Sequence, residues 1–157
     1  IFDNNELTSR NCHEDNVSND FFSTVIDQFV VIISGSVSDR PHCLNIQNKL
    51  NDKGIYSVIY HCSAHKDTRG VLNILNRYEN QNRRLCYVTV AGMSNALSGV
   101  VSCNTRFPVV GCPPFSDKTD MLVNINSTLQ CPSNVPVMTI LSPGNVALAI
   151  SKIFNLI

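Results

Sequence analysis

The stretch that constrains this chain most runs from Phe29 to Asp39. It opens with an unbroken apolar run, Phe29-Val30-Val31-Ile32-Ile33, rich in β-branched residues and closed by Ser34-Gly35. A run this short reads as a strand covered on both faces. Ser36-Val37-Ser38-Asp39 then turns the chain toward a helix with Pro41 in its first turn, where a missing N–H costs nothing. Strand, small-residue turn and helix N-terminus aim free backbone N–H groups and the positive end of a helix dipole at one spot, which suits a phosphate. The turn is not a P-loop, because no Gly-Lys-Ser/Thr follows, and not G-x-G-x-x-G, because the later glycines are missing. Taken alone it reads equally well as a tight connection with Ser38-Asp39 capping the helix.

The pattern repeats along the chain. Ile55 to His61, Leu85 to Ala91, Phe107 to Cys112 and Val135 to Leu141 read as further strands, the fourth stopped by Pro113-Pro114. Helices are predicted between them. The first carries Cys43, Leu44, Ile46, Gln47 and Leu50 and ends at Gly54, a natural C-cap. The second is capped by Asp67 or Thr68 and buries Val71, Leu72, Ile74, Leu75 and Tyr78. A small-residue helix covers Ser94 to Ser102 and a weaker one Thr119 to Ser127. A final helix runs from Asn145 to Ile157, with Val146, Ala149, Ile150, Ile153 and Phe154 on its apolar side. Strands alternating with helices predict an α/β fold, a three-layer αβα sandwich, flavodoxin-like, on a parallel sheet of about five strands. Residues 29–157 form the domain on this reading. Residues 1–28 form a polar linker or tail, rich in Asn and Asp up to residue 20, with a short helix over 21–28.

Composition excludes several classes. A hydrophobic fraction of 43% with 15% charged residues belongs to a globular chain, and zero net charge with no basic run argues against nucleic acid as partner. No apolar run approaches the ~18 residues of a membrane helix. The chain begins at Ile1 without a basic-then-apolar leader, so no signal peptide is expected, and it reads as a piece of a longer polypeptide. Seven cysteines, an odd number with no C-x-x-C, suit reduced thiols in a cytoplasmic protein better than a disulfide framework. The sequons at Asn16 and Asn126 mean nothing there. His61, Cys62 and His65 invite a zinc reading, which fails for want of a second ligand pair, so no metal is expected.

Ligands of open parallel sheets bind beyond the carboxyl ends of the strands. The residues at those ends are Gly35-Ser36-Val37-Ser38-Asp39, Ser63-Ala64-His65-Lys66, Ala91-Gly92-Met93-Ser94-Asn95-Ala96-Leu97, Pro113-Pro114 and Ser142-Pro143-Gly144. The first three sets are small, polar and rich in donors, and carry one Asp, one His and one Lys. They predict a site for a small phosphorylated molecule with an acid or base in it.

S-G-S-x-S-D from Ser34, S-A-H-K from Ser63, A-G-x-S-N-x-L from Ala91, N-T-x-x-P-V-V-x-C-P-P from Asn104 and L-S-P-x-x-x-A from Leu141 all fall on strand ends. In this order and spacing they resemble the aminoimidazole ribonucleotide (AIR) carboxylase family of purine synthesis, from about Val30 to Ile157. The resemblance is to the class II branch, which uses carbon dioxide directly. In animals that domain is the C-terminal half of a bifunctional enzyme, behind a SAICAR synthetase domain. The start at Ile1 and the polar segment before residue 20 suit a fragment of such a fusion.

The resemblance implies roles. Ser36, Ser38, Ser63 and Lys66 would hold the 5′-phosphate, Lys66 as a point charge. Asp39 would accept from the ribose hydroxyls, and His65 would move the proton on the carbon that gains the carboxylate. Gly92, Ser94 and Asn95 would line the pocket for base and carbon dioxide, with Gly35, Ala64, Ala91 and Leu97 completing the substrate contacts. It implies no metal or biotin, and a homo-octamer with the last helix at a subunit contact. Two other readings stay open: a class I mutase (or a related carboxylase on another nucleotide), and a non-catalytic nucleotide-binding or scaffold domain. Ala96 stands where the mutase branch usually has a second His, and the intact His65 speaks against a dead copy.

The chain departs from the pattern in places. The family usually has Met at position 34, Arg or Gly at position 93, Gly at positions 96 and 103, and Gly-Pro or Thr-Pro at 67–68. A lost glycine that needed a positive φ would strain or reshape the loop.

Overall fold

The computed structural model describes residues 12–15 and 27–156. Among these the chain forms a sheet of strands β1 (His13–Asp15), β2 (Gln28–Ser34), β3 (Tyr56–His61), β4 (Arg84–Val90), β5 (Val109–Gly111) and β6 (Met138–Thr139). The helices are α1 (Arg40–Asn51), α2 (Thr68–Glu79), α3 (Ala96–Cys103), α4 (Lys118–Leu129) and α5 (Pro143–Phe154). The strand order is β1-β3-β2-β4-β5-β6. All neighbours run parallel except β1, which lies antiparallel on β3 with His13 opposite His61. The five parallel strands alone have the flavodoxin order expected from the sequence.

β2 sits between β3 and β4 and is buried on both faces, as its apolar run requires. Phe29, Val31 and Ile33 point to one side and join Val71, Leu75 and Tyr78 of α2 with Leu97 and Val101 of α3. Val30 and Ile32 point to the other and join Cys43, Ile46 and Leu50 of α1 with Val146, Ile150 and Phe154 of α5. The period of two along the strand thus divides one apolar run between two helical layers. Gly54, at φ 70°, reverses the chain after α1, a conformation that favours glycine.

Two expectations need correction, and a third lies mostly outside the described residues. His13–Asp15, placed in the polar tail, form the sheet's antiparallel edge strand. Three residues of alternating polar type carry no periodic signal, and their partner β3 lies more than 40 residues along the chain. Most of the short helix expected over 21–28 lies outside the described residues, and Gln28 already belongs to β2. The cysteines are not all thiols, because Cys12 and Cys62 pair as a disulfide, with Cα atoms 4.5 Å apart. The pairing follows from β1 lying beside β3, across a sequence separation of 50 that no spacing rule reads. Cys43, Cys86, Cys103, Cys112 and Cys131 remain free. Burial pushes the thiols of Cys43, Cys86 and Cys112 up to about 12, so they stay protonated and inert.

Candidate active site

The chain leaves β2 for β3 on one side and returns to β4 on the other, so the gap beyond their carboxyl ends is the topological switch point. A cleft of about 470 Å³ opens there, lined by the turns that follow the three strands.

The first wall is the turn after β2. Gly35 N–H donates to Val90 O at 2.9 Å, tying the turn to β4. Ser36 caps a single 3₁₀ turn over Val37–Asp39: its Oγ accepts from Ser38 N at 3.2 Å and from Ser38 Oγ at 2.7 Å. Asp39 stands at the N-cap position of α1 but makes no side-chain cap there. Its carboxyl lines the cleft instead, which favours the ligand reading of Asp39 over the capping one. Burial pushes that carboxyl above its usual range, with the nearby His61 pulling weakly the other way.

The second wall is the turn after β3, which brings Ser63, Ala64 and His65 to the cleft. Asp67 N–H donates to Ser63 O at 2.8 Å, and the Thr68 hydroxyl to Ala64 O at 2.5 Å. Asp67 in turn caps α2, its Oδ1 accepting from Gly70 N at 2.8 Å. The Asp67-Thr68 departure therefore supplies a cap and a turn lock of its own.

The third wall is Ala91-Gly92-Met93-Ser94 with Leu97 behind it. Its geometry is set by polar residues of α4. Asn124 Oδ1 accepts from Met93 N at 2.7 Å, and Ser127 Oγ from Asn95 N at 2.7 Å. Gly92 packs so close to Asn124 that a Cβ there would lie 3.2 Å from its Nδ2. Met93 adopts φ 55° with its side chain mostly exposed. The strain foreseen at the lost glycines 96 and 103 therefore falls elsewhere: both positions are ordinary α3 residues, and the left-handed residue of this wall is Met93.

Of the residues singled out from sequence, Gly35, Ser36, Ser38, Asp39, Ser63, Ala64, His65, Ala91, Gly92, Ser94 and Leu97 meet in the cleft. Lys66 and Asn95 do not line it. Lys66 is exposed beside His65. Asn95 turns inward as the cap of α3, its Oδ1 accepting from Ser98 N at 3.1 Å and its Nδ2 donating to Thr128 Oγ1 at 2.9 Å. Sequence reasoning missed Met93 as a lining residue and Asn124 as a support. A periodic signal existed for α4, but its inward face is polar (Asn124, Thr128) and Leu122, Val123 and Leu129 point outward, the reverse of the usual pattern. The three candidate zinc ligands do not converge: His61 bonds Ser34 and Asp15, Cys62 bonds Cys12, and His65 faces the cleft.

Fold and cleft together define a flavodoxin-like α/β protein with a polar ligand site at the switch point of its sheet. The chain belongs to the AIR carboxylase family, whose model matches residues 29–156. It is 47% identical over 126 residues to a phosphoribosylaminoimidazole carboxylase of Archaeoglobus fulgidus, covering 80% of this chain and 68% of that one. It is similar to the bifunctional phosphoribosylaminoimidazole carboxylase/succinocarboxamide synthetase of Drosophila melanogaster, at 38% identity over 83% of this chain and 30% of that protein. The crystal structure of Treponema denticola PurE superposes with a TM-score of 0.77 at 38% identity, covering 82% of this chain and 81% of that one. No helix among the described residues is long and apolar enough to cross a membrane.

Proposed function

We propose that this domain carboxylates 5-aminoimidazole ribonucleotide with carbon dioxide, giving 4-carboxy-5-aminoimidazole ribonucleotide in de novo purine synthesis without ATP. The observation that carries the reading is the convergence of three strand-end turns on one cleft in which, among the lining residues, His65 is the only imidazole and Asp39 the only carboxylate. The Ser36 and Ser38 hydroxyls receive the 5′-phosphate, helped by Ser63. Lys66 stands at the rim as a diffuse positive charge. Asp39 accepts from the ribose hydroxyls. The base lies along Ala91-Gly92-Met93-Ser94, where small side chains leave space for carbon dioxide beside it.

The exocyclic amine makes the ring carbon electron-rich, so that carbon is the nucleophile. It attacks carbon dioxide, a carbon–carbon bond forms, and one C–O π pair becomes carboxylate. The ring, now cationic, loses the proton from the same carbon to His65 and recovers its aromaticity. The protein's task is orientation, water exclusion and one proton transfer, which draws on no metal or biotin. Ala96 opens α3 and offers no second imidazole, which favours this direct route over the mutase.

Apolar side chains exposed on two helices, Leu122, Val123 and Leu129 of α4 and Leu148 of α5, support a closed homo-oligomer, which we assign as an octamer. The Drosophila melanogaster relative is named as a bifunctional carboxylase/succinocarboxamide synthetase, and a fused synthetase domain is our reading for this chain as well. We assign the cytoplasm on the five free thiols, the Cys12–Cys62 bond being the one pair that departs from that pattern.

The test is spectrophotometric. Aminoimidazole ribonucleotide plus bicarbonate, without ATP, should give a product absorbance that wild type produces and His65→Asn does not. Nucleotide binding by the variant should stay within a few-fold of wild type. A His65→Asn enzyme with more than a tenth of wild-type turnover sinks the proton-transfer role, and a wild type inert toward this substrate sinks the reading.

A further inference from the structure

Ser34 and His61 are the last residues of β2 and β3 and sit opposite each other in the parallel register. Each immediately precedes a turn that walls the cleft. Ser34 Oγ lies 2.6 Å from His61 Nδ1 and donates to the backbone oxygen of Ser36 at 2.9 Å. On the far side, His61 Nε2 lies 3.1 Å from Asp15 Oδ2, which also accepts from Arg40 Nε at 2.6 Å. A carboxylate only accepts, so Nε2 carries its hydrogen toward Asp15, and Nδ1 accepts from Ser34 Oγ, whose one hydrogen is shared between the ring and Ser36 O. Ser34 is 0% exposed and His61 2%. The order Ser–His–Asp is that of a hydrolytic triad, but a fully buried hydroxyl bonded to Ser36 O cannot be reached by an acyl group.

We propose that His61 is a positioning residue for the substrate turn: through Ser34 it fixes the Ser36 carbonyl, and through Asp15 it makes the edge strand β1 part of the site. The inference rests on the reading of Ser36–Asp39 as the phosphate and ribose wall. The chain Arg40–Asp15–His61–Ser34–Ser36 runs from the first residue of α1, around the outside of the turn, to its opening seryl residue. Both ends of the turn are thereby held by one hydrogen-bonded line, and a loose Ser36 would let its Oγ leave Ser38. Asp15 is held below the usual carboxylate range, because His61 and Arg40 together outweigh the upward push of burial. The line is thus ionised at its outer end at neutral pH.

Two amide variants separate the two bonds of the ring. His61→Asn places an amide near Nδ1 and keeps the Ser34 contact. His61→Gln reaches to Nε2 and keeps the Asp15 contact. We expect His61→Gln and Ser34→Ala to raise KM for aminoimidazole ribonucleotide about tenfold with kcat within about twofold, the size of one lost hydrogen bond. His61→Asn, which keeps Ser34 but gives up Asp15, should raise KM by a smaller factor, about threefold, with kcat again within about twofold. The same order should appear in the Kd of inorganic phosphate read by thermal shift, which needs no turnover. A KM that follows melting temperature across the three variants, or phosphate affinity unchanged in all of them, overturns the proposal. Failure of phosphate to stabilise wild type also overturns it, whereas a wild type that binds phosphate but ignores the ribonucleotide overturns only the proposed reaction.

Discussion

Asn124 is the residue whose removal should separate the polar support of the third wall from its lining. Its side chain is 3% exposed and makes three hydrogen bonds: Oδ1 accepts from Met93 N at 2.7 Å, and Nδ2 donates to Pro114 O at 2.8 Å and Asp120 Oδ1 at 3.0 Å. In Asn124→Ala the half-buried Asp120 carboxylate keeps the Ser116 N–H on its other oxygen and recovers water at Oδ1 at little cost. Met93 N–H and Pro114 C=O lose partners in a part-buried site, about 1 kcal/mol each or somewhat more. The space left beneath Gly92 adds to this, while the better helix propensity of Ala returns roughly 0.5 kcal/mol. The net loss is about 2–3 kcal/mol, or roughly 5–10 °C in Tm for a chain of this size. Asn126→Ala, on the exposed side of the same helix, carries the propensity gain alone and is the control. Chemical denaturation with both variants reads the difference. Because Met93 then leaves φ 55°, kcat/KM for the proposed carboxylation should fall about tenfold or more. If Asn124→Ala lies within about 0.5 kcal/mol of Asn126→Ala, α4 does not hold the loop and the account of the third wall is wrong.

Met93→Gly should stabilise the fold by about 0.5–1 kcal/mol, since a mostly exposed side chain gives up little packing and a left-handed residue loses its Cβ clash; a lower denaturation midpoint would contradict this. Lys66→Ala should raise KM only about two- to fivefold, and less at high salt, because Lys66 lies outside the cleft lining; a hundredfold effect would place its ammonium on the phosphate. The raised carboxyl of Asp39 has a definite sign. The folded chain holds that proton more tightly than the unfolded one, so stability from this group is full below pH about 3.8 and is lost as pH rises through the folded value. Asp39→Asn should therefore stabilise the unliganded protein at pH 7 in a thermal melt while weakening ribonucleotide binding, and a destabilised variant would show that the carboxylate serves the fold. In wild type KM should climb as pH falls through the raised Asp39 value, and this acid limb should flatten in Asp39→Asn.

The α/β fold, the parallel core of the sheet and the three turns that wall the cleft were legible in the sequence because their signals are local. Phe29 to Ile33 could only be a doubly covered strand, and Gly35 to Asp39 could only be a small polar turn before a helix with Pro41 in its first turn. Ser63 to His65 followed in the same way. Lys66 and Asn95 read as site residues for the same local reason, and there the local signal failed: which way a side chain turns is decided by what packs beside it. Asn95 found Ser98 and Thr128 within reach and became a cap. β1 had no signal at all, since three polar residues become a strand only when the open edge of β3 is present to pair with them. The Cys12–Cys62 bond and the Asp15–His61–Ser34 line depend on that pairing. So does any part β1 plays in the site, because hydrogen bonds between residues tens of positions apart are set by the sheet's register, which no single segment of the chain contains.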